Sequence, residues 1–453
     1  VTVHPLYGKI VSRRYGENIY KKVLEEIRYR AETGKYIVRG FGYSGKLPDF
    51  DDLLLVPVHG LGTRAPVDQY REKVDTTVVI GKGMVKKPLV LKTPVMIGAM
   101  SYGATSREFK LACAKAANEV GTASNTGEGG MVTEKTEDGG IRWLEYEYTK
   151  PNGYLMVQFA SGRWGVCIEY LLNSDAIEVK YGQGAKPGFG GHLLGEKVTE
   201  EIAYTRGIPK GTDCLSPARH LDIRSIDDLK KVIKIIRDIV GYEKPVGIKL
   251  GPGNAYKEVY AAAQCDIDFL AIDGKYGGTG ASPQHAIQGL GLPTIAIIPQ
   301  ADKALRDAGV RDQVTLIALG GFRDGADVAK ALALGADAVA LVSAIEIAAG
   351  CIMCGMCATG RCPVGICTQD PELRKKIGGG KGLDQAAKWI ANYMHAVTKE
   401  VAQLAAACGH KSVREFEPED LRAITLEASA IAGVKLAGID DYVLPKWKEI
   451  RGK

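Results

Sequence analysis

Eight short apolar runs separated by longer amphipathic stretches constrain this chain more than any other feature. They fall at residues 94–100, 121–125, 154–160, 175–181, 246–250, 269–273, 315–319 and 338–342. Near-continuous apolar runs of this length are strands buried on both faces, which parallel sheets achieve by covering themselves with crossover helices. Helical spacing occupies the intervals at 106–119, 225–240 and 324–334. The second of these opens on Ser225 with Asp228 three residues on, a variant of the box in which an N-cap and the third helical residue satisfy each other's backbone donors. Eight strands alternating with helical segments predict an α/β chain whose parallel sheet closes into a (β/α)8, or TIM, barrel over residues 94–350.

The flanking sequence does not share this rhythm. Residues 1–93 contain a basic amphipathic stretch at 20–31 and a turn-rich run with Gly34, Gly40, Gly42 and Gly45, and are expected to form an N-terminal extension packed on the barrel. Residues 351–378 form a cysteine segment, and the run Gly378-Gly379-Gly380-Lys381-Gly382 reads as a flexible hinge. Beyond it, helical patterns at 384–407 and 419–432 predict a C-terminal helical appendage over 379–453.

Hydrophobic residues at 45% and charged residues at 25% exclude a disordered or fibrous chain. The net charge of +6 is dispersed, so neither nucleic acid nor an anionic membrane is an expected partner; small anionic ligands are. The most apolar stretch, 335–357, includes Asp337 and Glu346 and makes a poor membrane span. The first residues, Val1 to Pro5, lack the pattern of a secretory signal, and the expected compartment is the cytoplasm. Five of the ten cysteines, Cys351, Cys354, Cys357, Cys362 and Cys367, crowd into one segment. In a reducing compartment such crowding points to metal binding rather than disulfides.

Active sites of closed α/β barrels lie where the strands end, and here those ends carry reactive or flexible groups. The first is followed by GAMSYG at 98–103, with Met100 and Ser101, and the second by SNTGEGG at 124–130, with Glu128. Gln158 lies in the third, GQGAKPG at 182–188 follows the fourth with Gln183 and Lys186, and Lys249 lies in the fifth. Asp273 ends the sixth, ahead of Gly277 and Gly278, and Gly320 and Gly321 follow the seventh. Glycines after the sixth and seventh strands permit close backbone approach, so their N–H groups can cradle a phosphate. The glycines of 184–195 lack the strand-to-helix order of a dinucleotide fingerprint. The spacing Cys351-x2-Cys354-x2-Cys357-x4-Cys362-Pro363 suits an iron–sulfur cluster, with a zinc site as the alternative.

These motifs, together with ASGRWG at 160–165, GGTGASP at 277–283, GGFRDGADV at 320–328 and CIMCGMCATGRCPVGICTQ at 351–369, resemble the FMN-binding synthase region of the glutamate synthase family. The likeness is strongest to its stand-alone archaeal-type form and covers about residues 50–430. The resemblance implies FMN contacts from Met100, Ser101, Gln158, Lys249, Asp273, Gly277, Gly278, Gly320 and Gly321, with Lys249 beside the flavin's pyrimidine edge. It implies a 2-oxoglutarate site at Glu128, Gln183, Lys186 and His192, with Glu128 moving protons and Lys249 assisting the flavin chemistry. It implies a [3Fe–4S] cluster on Cys351, Cys357 and Cys362, and Cys354 leaves [4Fe–4S] open.

The implied activity is formation of L-glutamate from 2-oxoglutarate and glutamine-derived ammonia by reduction of 2-iminoglutarate. Val1 is not a cysteine nucleophile, and neither an amidotransferase segment nor a glycine-repeat β-helix is visible. The resemblance therefore implies a hetero-oligomer with a glutamine amidotransferase subunit, a glycine-repeat β-helix subunit and an electron-donor protein. Where many relatives read KPGEGGQLPG, this chain has Phe189 and His192 in place of polar groups. That keeps an N-methylglutamate synthase type subunit, handling methylamine and glutamate, as an alternative. A nucleotide oxidoreductase of the inosine-monophosphate dehydrogenase type is a further one, because the stretch 324–339 is similar there too.

Overall fold

The computed structural model describes residues 17–451 apart from 63 and 84, and side chains from residue 24 onward. Val1 and the rest of the first sixteen residues lie outside the described part. Each of the eight apolar runs is a strand: β1 (Val95–Ile97), β2 (Ala123–Asn125), β3 (Tyr154–Ala160), β4 (Ala176–Lys180), β5 (Val246–Leu250), β6 (Phe269–Asp273), β7 (Thr315–Leu319) and β8 (Ala338–Leu341). Every strand pairs in parallel with the next in sequence, and β8 pairs with β1 through Val339↔Val95, Ala340↔Met96 and Leu341↔Ile97. The sheet is a closed eight-stranded barrel.

Strand periodicity divides the core in two. Val95, Ile97, Val157, Ile177, Ile248, Leu270 and Leu341 face outward onto the helices. Met96, Ala123, Met156, Phe269, Ala271, Ile317 and Ala340 fill the interior. A hairpin of Val78–Ile80 and Leu89–Leu91 packs its buried residues against that interior set, and Thr315 Oγ1, at the start of β7, donates to its Val79 carbonyl. This plugs the end of the barrel where strands begin and leaves the opposite end for ligands.

The helices begin where their caps are. Ser106 accepts from the Phe109 N–H to start α1 (Arg107–Val120), and Gly121, at φ 75°, ends it. Ser225 caps α2 (Ile226–Ile239), but the box is incomplete: the Asp228 carboxylate takes the N–H of Arg224, one residue before the cap. Asp324 caps α3 (Gly325–Leu334). The helix Leu383–Ala407 buries Ala387, Ile390, Ala391, Met394, Val397 and Val401 and packs on both α1 and α3. It thus lies on the outside of the barrel, between the helices that follow β1 and β7.

Two expectations at this end of the chain are overturned. The glycine run after Lys376 is no flexible hinge but a tight turn (Ile377–Gly380) with Gly378 buried, Gly378 and Gly379 at φ 61° and 66°, and a Cβ at Gly378 would press to 3.0 Å from the Ala386 nitrogen. The segment 419–432 is not one helix. Leu421–Ala423 is a strand paired antiparallel with Leu53–Leu55, and Thr425 then caps a separate helix, Leu426–Ala432. An edge supplied from residue 53, far away in sequence, outweighs local helical spacing. No helix among the described residues is long and apolar enough to cross a membrane.

One buried ion pair ties the first two strand ends together. Lys110 and Glu145, 1% and 0% exposed, lie 2.9 Å apart. The Lys110 ammonium also donates to the carbonyls of Met100 (2.7 Å) and Thr126 (3.0 Å), while Glu145 Oε2 accepts from Thr126 Oγ1 and the Val132 N–H. Lys110→Met strands the carboxylate in the interior and is expected to cost about 3–5 kcal/mol, read as a lower denaturant midpoint. The double variant Lys110→Met/Glu145→Leu recovers most of that loss, and Lys115→Met, at the exposed pair with Asp384, costs less than about 1 kcal/mol.

Candidate active site

The strand C-termini open on a cavity of ≈ 1000 Å³. Met100, Ser101, Glu128, Gln158, Gln183, Lys186, His192, Lys249, Asp273, Gly277, Gly278, Gly320 and Gly321 all line it, so residues up to 221 positions apart in the chain share one wall. Of the cysteines, Cys354 and Cys367 reach the lining; Cys351, Cys357 and Cys362 do not. Phe189 does not reach it either and instead packs edge-on against His285, with ring centroids 6.2 Å apart. Of the two departures from the usual motif, only His192 faces the cavity.

One side of the cavity is a glycine cradle. Gly320 and Gly321, at φ 103° and 92°, occupy backbone space that side-chain-bearing residues avoid. The Thr294 hydroxyl fixes the turn by donating to the Gly320 carbonyl at 2.7 Å. A Cβ at Gly278 would come within 2.5 Å of Ser343 Oγ, so the loop after β6 touches the helix start after β8. That corner is where this fold commonly holds phosphate. Nearby, the Lys249 ammonium lies 3.5 Å from Asp273. Gln158 donates to Glu178, which also takes an amide N–H of Asn125, and the buried Gln158 Oε1 accepts no hydrogen bond.

The other side is charged. Glu128 Oε2 lies 3.3 Å from the Lys180 ammonium and accepts from the Ser216 hydroxyl. Gly191 is glycine because a Cβ there would overlap the Glu128 carboxylate. Burial favours the protonated form of Glu128, but Lys180, then Lys186 and Arg206, outweigh it and hold the carboxyl below its ordinary range. Lys180 also donates to Gln183 Oε1, whose amide donates to Thr279 Oγ1. Lys186 donates to the Ala281 carbonyl at 2.6 Å, and burial, with Lys180 adding repulsion, brings its ammonium down to about 7. Burial and then Lys186 lower the His192 imidazole as well.

Lys180, the last residue of β4, was missed although the strand-end rule could have found it. Ser216 and the segment 39–44 carried no local signal; both arrive by long-range folding.

In the cysteine segment beside the cavity, Cys357, Cys362 and Cys367 are buried, Cys351 is half-buried and Cys354 is exposed. The Cys367 thiol interacts with that of Cys357 and, against burial and with help from the Lys197 ammonium, brings it down to about 7. Burial pushes the Cys351 thiol up to about 12. The buried Lys197 donates to the Cys357 carbonyl. Glu346, raised to about 8 by burial and then by the charge of Cys357, lines the cavity and accepts from the Cys367 thiol at 3.7 Å. Among the described residues no three His, Cys, Asp or Glu side chains converge to hold a single metal ion.

Comparison with known proteins agrees with this architecture. The family model for the conserved region in glutamate synthase matches residues 61–411. The chain is 42% identical to a glutamate synthase large subunit-like protein of Rhizobium meliloti, over 92% of this chain and 94% of that one. It is 38% identical to an archaeal glutamate synthase (NADPH) of Methanocaldococcus jannaschii, over 91% of this chain and 83% of that one. Among solved structures, a flavocytochrome b2 variant with pyruvate bound superposes with a TM-score of 0.50 at 14% identity, covering 82% of this chain and 76% of that one. A putative lactate oxidase of Pediococcus acidilactici superposes equally well, at 16% identity over 83% and 84%. At such identities these structures share the fold alone. On the span of the family match and the near-complete coverage of its relatives, the chain belongs to the glutamate synthase family of oxidoreductases.

Proposed function

We propose that this chain forms L-glutamate from 2-oxoglutarate and glutamine-derived ammonia, using FMN at the barrel mouth and an iron–sulfur cluster on the cysteine segment. The observation that carries the reading is the junction, in one cavity, of a glycine cradle with the Glu128 carboxyl and the side chains of Lys180 and Lys186. The chain's residues fit a flavin. Gly277, Gly278, Gly320 and Gly321 would cradle its phosphate, and Met100, Ser101, Lys249 and Asp273 would flank its ring. The unsatisfied Gln158 oxygen would accept from a ring N–H. Cys351, Cys357 and Cys362 would hold three irons, and the exposed Cys354 is the candidate for a fourth. When bound, FMN would supply the hydride that reduces the imine, and the cluster would supply it with single electrons.

The protein groups would do the rest. Lys186 pairs its ammonium with a substrate carboxylate. Glu128, kept ionised, accepts the proton that ammonia sheds on attacking the oxo carbon, and Lys180 and Ser216 hold it in place. Gln183 and His192 complete the wall around the acid. Lys249, paired with Asp273, would stabilise negative charge on the reduced ring. A glutamine amidotransferase subunit, a glycine-repeat β-helix subunit and an electron-donor protein would complete the assembly in the cytoplasm. The relatives from Rhizobium meliloti and Methanocaldococcus jannaschii carry glutamate synthase names, and Phe189 lies outside the cavity lining; both favour ammonia over methylamine.

The purified protein is expected to release FMN on acid precipitation and to show a broad iron–sulfur absorption. Cys357→Ser should lose the iron while retaining FMN, and a colourless, iron-free wild type refutes the proposal. Glu128→Gln is expected to lower kcat by about 10²–10⁴ with FMN content unchanged. Lys186 is protonated below about pH 7 and neutral above it, and a bound anion favours its protonated form. Affinity for 2-oxoglutarate should therefore fall as pH rises through 7, with proton uptake on binding above that value. Calorimetry in buffers of different ionisation enthalpy reads both effects, and a pH-independent Kd contradicts the assignment.

A further inference from the structure

Five lysine and arginine side chains line the barrel-mouth cavity, and three have carboxylate partners. Lys180 pairs with Glu128, Lys249 with Asp273, and Arg323 with Asp51 and Asp327. Among the described residues, Lys186 and Arg39 have no carboxylate within ion-pair distance. Lys186 belongs to the acid site already described. Arg39 belongs to nothing so far.

Arg39 reaches the cavity on a strap from the N-terminal part of the chain. The short strand Val38–Arg39 pairs antiparallel with Ser282–Pro283, placing Arg39 opposite Ser282, next to the Ala281 carbonyl that Lys186 holds. The Phe41 N–H donates to the Thr279 carbonyl at 2.8 Å. A Cβ at Gly40 would stand 2.6 Å from Cys357 Cβ, and one at Gly42 would stand 2.8 Å from the Gly277 carbonyl. The strap is thus clamped between the loop after β6 and the cysteine segment, with no room for a side chain at Gly40 or Gly42.

On this rigid mount the half-buried guanidinium lacks a counter-charge. Its Nη2 donates to the Gly42 carbonyl at 3.2 Å, and its Nη1 reaches the Gly40 carbonyl at 3.5 Å. Its Nε is sealed from solvent and donates to nothing. Glu26 acts on it only at longer range and is itself engaged by Gln284. A partly desolvated guanidinium satisfied only by two carbonyls gains most from an anion, and its fork geometry suits phosphate or carboxylate oxygens. We infer that Arg39 binds an anionic oxygen group of the ligand in the barrel-mouth cavity, either a phosphate or a carboxylate. The inference rests on the reading of that cavity as the seat of FMN and a 2-oxo acid.

The test compares wild type with Arg39→Gln and Arg39→Lys. Flavin fluorescence gives the affinity of the flavin-stripped protein for FMN and for riboflavin, and perturbation of the flavin spectrum gives that of the holoprotein for 2-oxoglutarate and 2-oxobutyrate. Arg39→Gln is expected to weaken one class of ligand by about 10–100-fold. Loss for FMN but not riboflavin assigns the phosphate. Loss for 2-oxoglutarate but not 2-oxobutyrate assigns the distal carboxylate, and equal loss for both oxo acids with flavins unaffected assigns the carboxylate beside the oxo group. Arg39→Lys keeps the charge without the fork and should lose part of the same affinity, and it carries the test if Arg39→Gln does not fold. Unchanged affinities, or equal loss for every ligand including riboflavin, overturn the inference while the cavity assignment stands. A wild type that binds neither FMN nor 2-oxoglutarate removes the cavity reading and this inference with it.

Discussion

Pairing of β8 with β1 is the constraint on which the rest of the structure depends. A closed ring of parallel strands has no free edge and only two ends. With the hairpin of Val78–Ile80 and Leu89–Leu91 filling one, every group carried at a strand's C-terminus is delivered to the other. Lys110 strengthens that delivery, because its ammonium holds the carbonyls of Met100 and Thr126 from two neighbouring strand ends. Replacing water around such a charge is costly, and here the Glu145 carboxylate and the two strand-end carbonyls offset it.

Two buried charge systems meet at the cavity. In the first, Glu128 is kept ionised by three cations, while Lys186 is driven toward its neutral form by burial and by Lys180. Both groups shift downward for different reasons: the acid gains from each surrounding cation, whereas Lys186 is desolvated by burial and repelled by Lys180. In the second, Lys197 lies among buried thiols, and Glu346 presents a carboxyl to both the cavity and Cys367. The short helix Ser343–Ala348, which carries Glu346, therefore lies where the ligand chamber meets the cysteine segment, whose Cys354 and Cys367 also reach the lining.

The eight strands and the starts of α1, α2 and α3 were legible because burial on two faces and capping chemistry are local properties, written into short stretches such as the run at 175–181 or the cap at Ser225. The glycine run after Lys376 and the segment beginning at Glu419 were misread because their conformations come from partners elsewhere. Gly378 turns against the helix that buries Ala386, and Leu421 pairs with Leu55. The strand-end residues of the site were readable one at a time, whereas the pairing of Lys180 with Glu128 and the arrival of Arg39 and Ser216 were not.

The sequence by itself determined the barrel, the strand-end positions of the reactive groups and the family, because hydrophobic period, caps and motif order are properties of contiguous residues. Only the tertiary structure decided which of those groups share a charge field. It set Glu128 among Lys180, Lys186 and Arg206, left Phe189 outside the cavity, and brought a guanidinium from residue 39 to the loop after β6. Electrostatic free energies depend on distance through space and on exclusion of water, and neither is set until the ring closes.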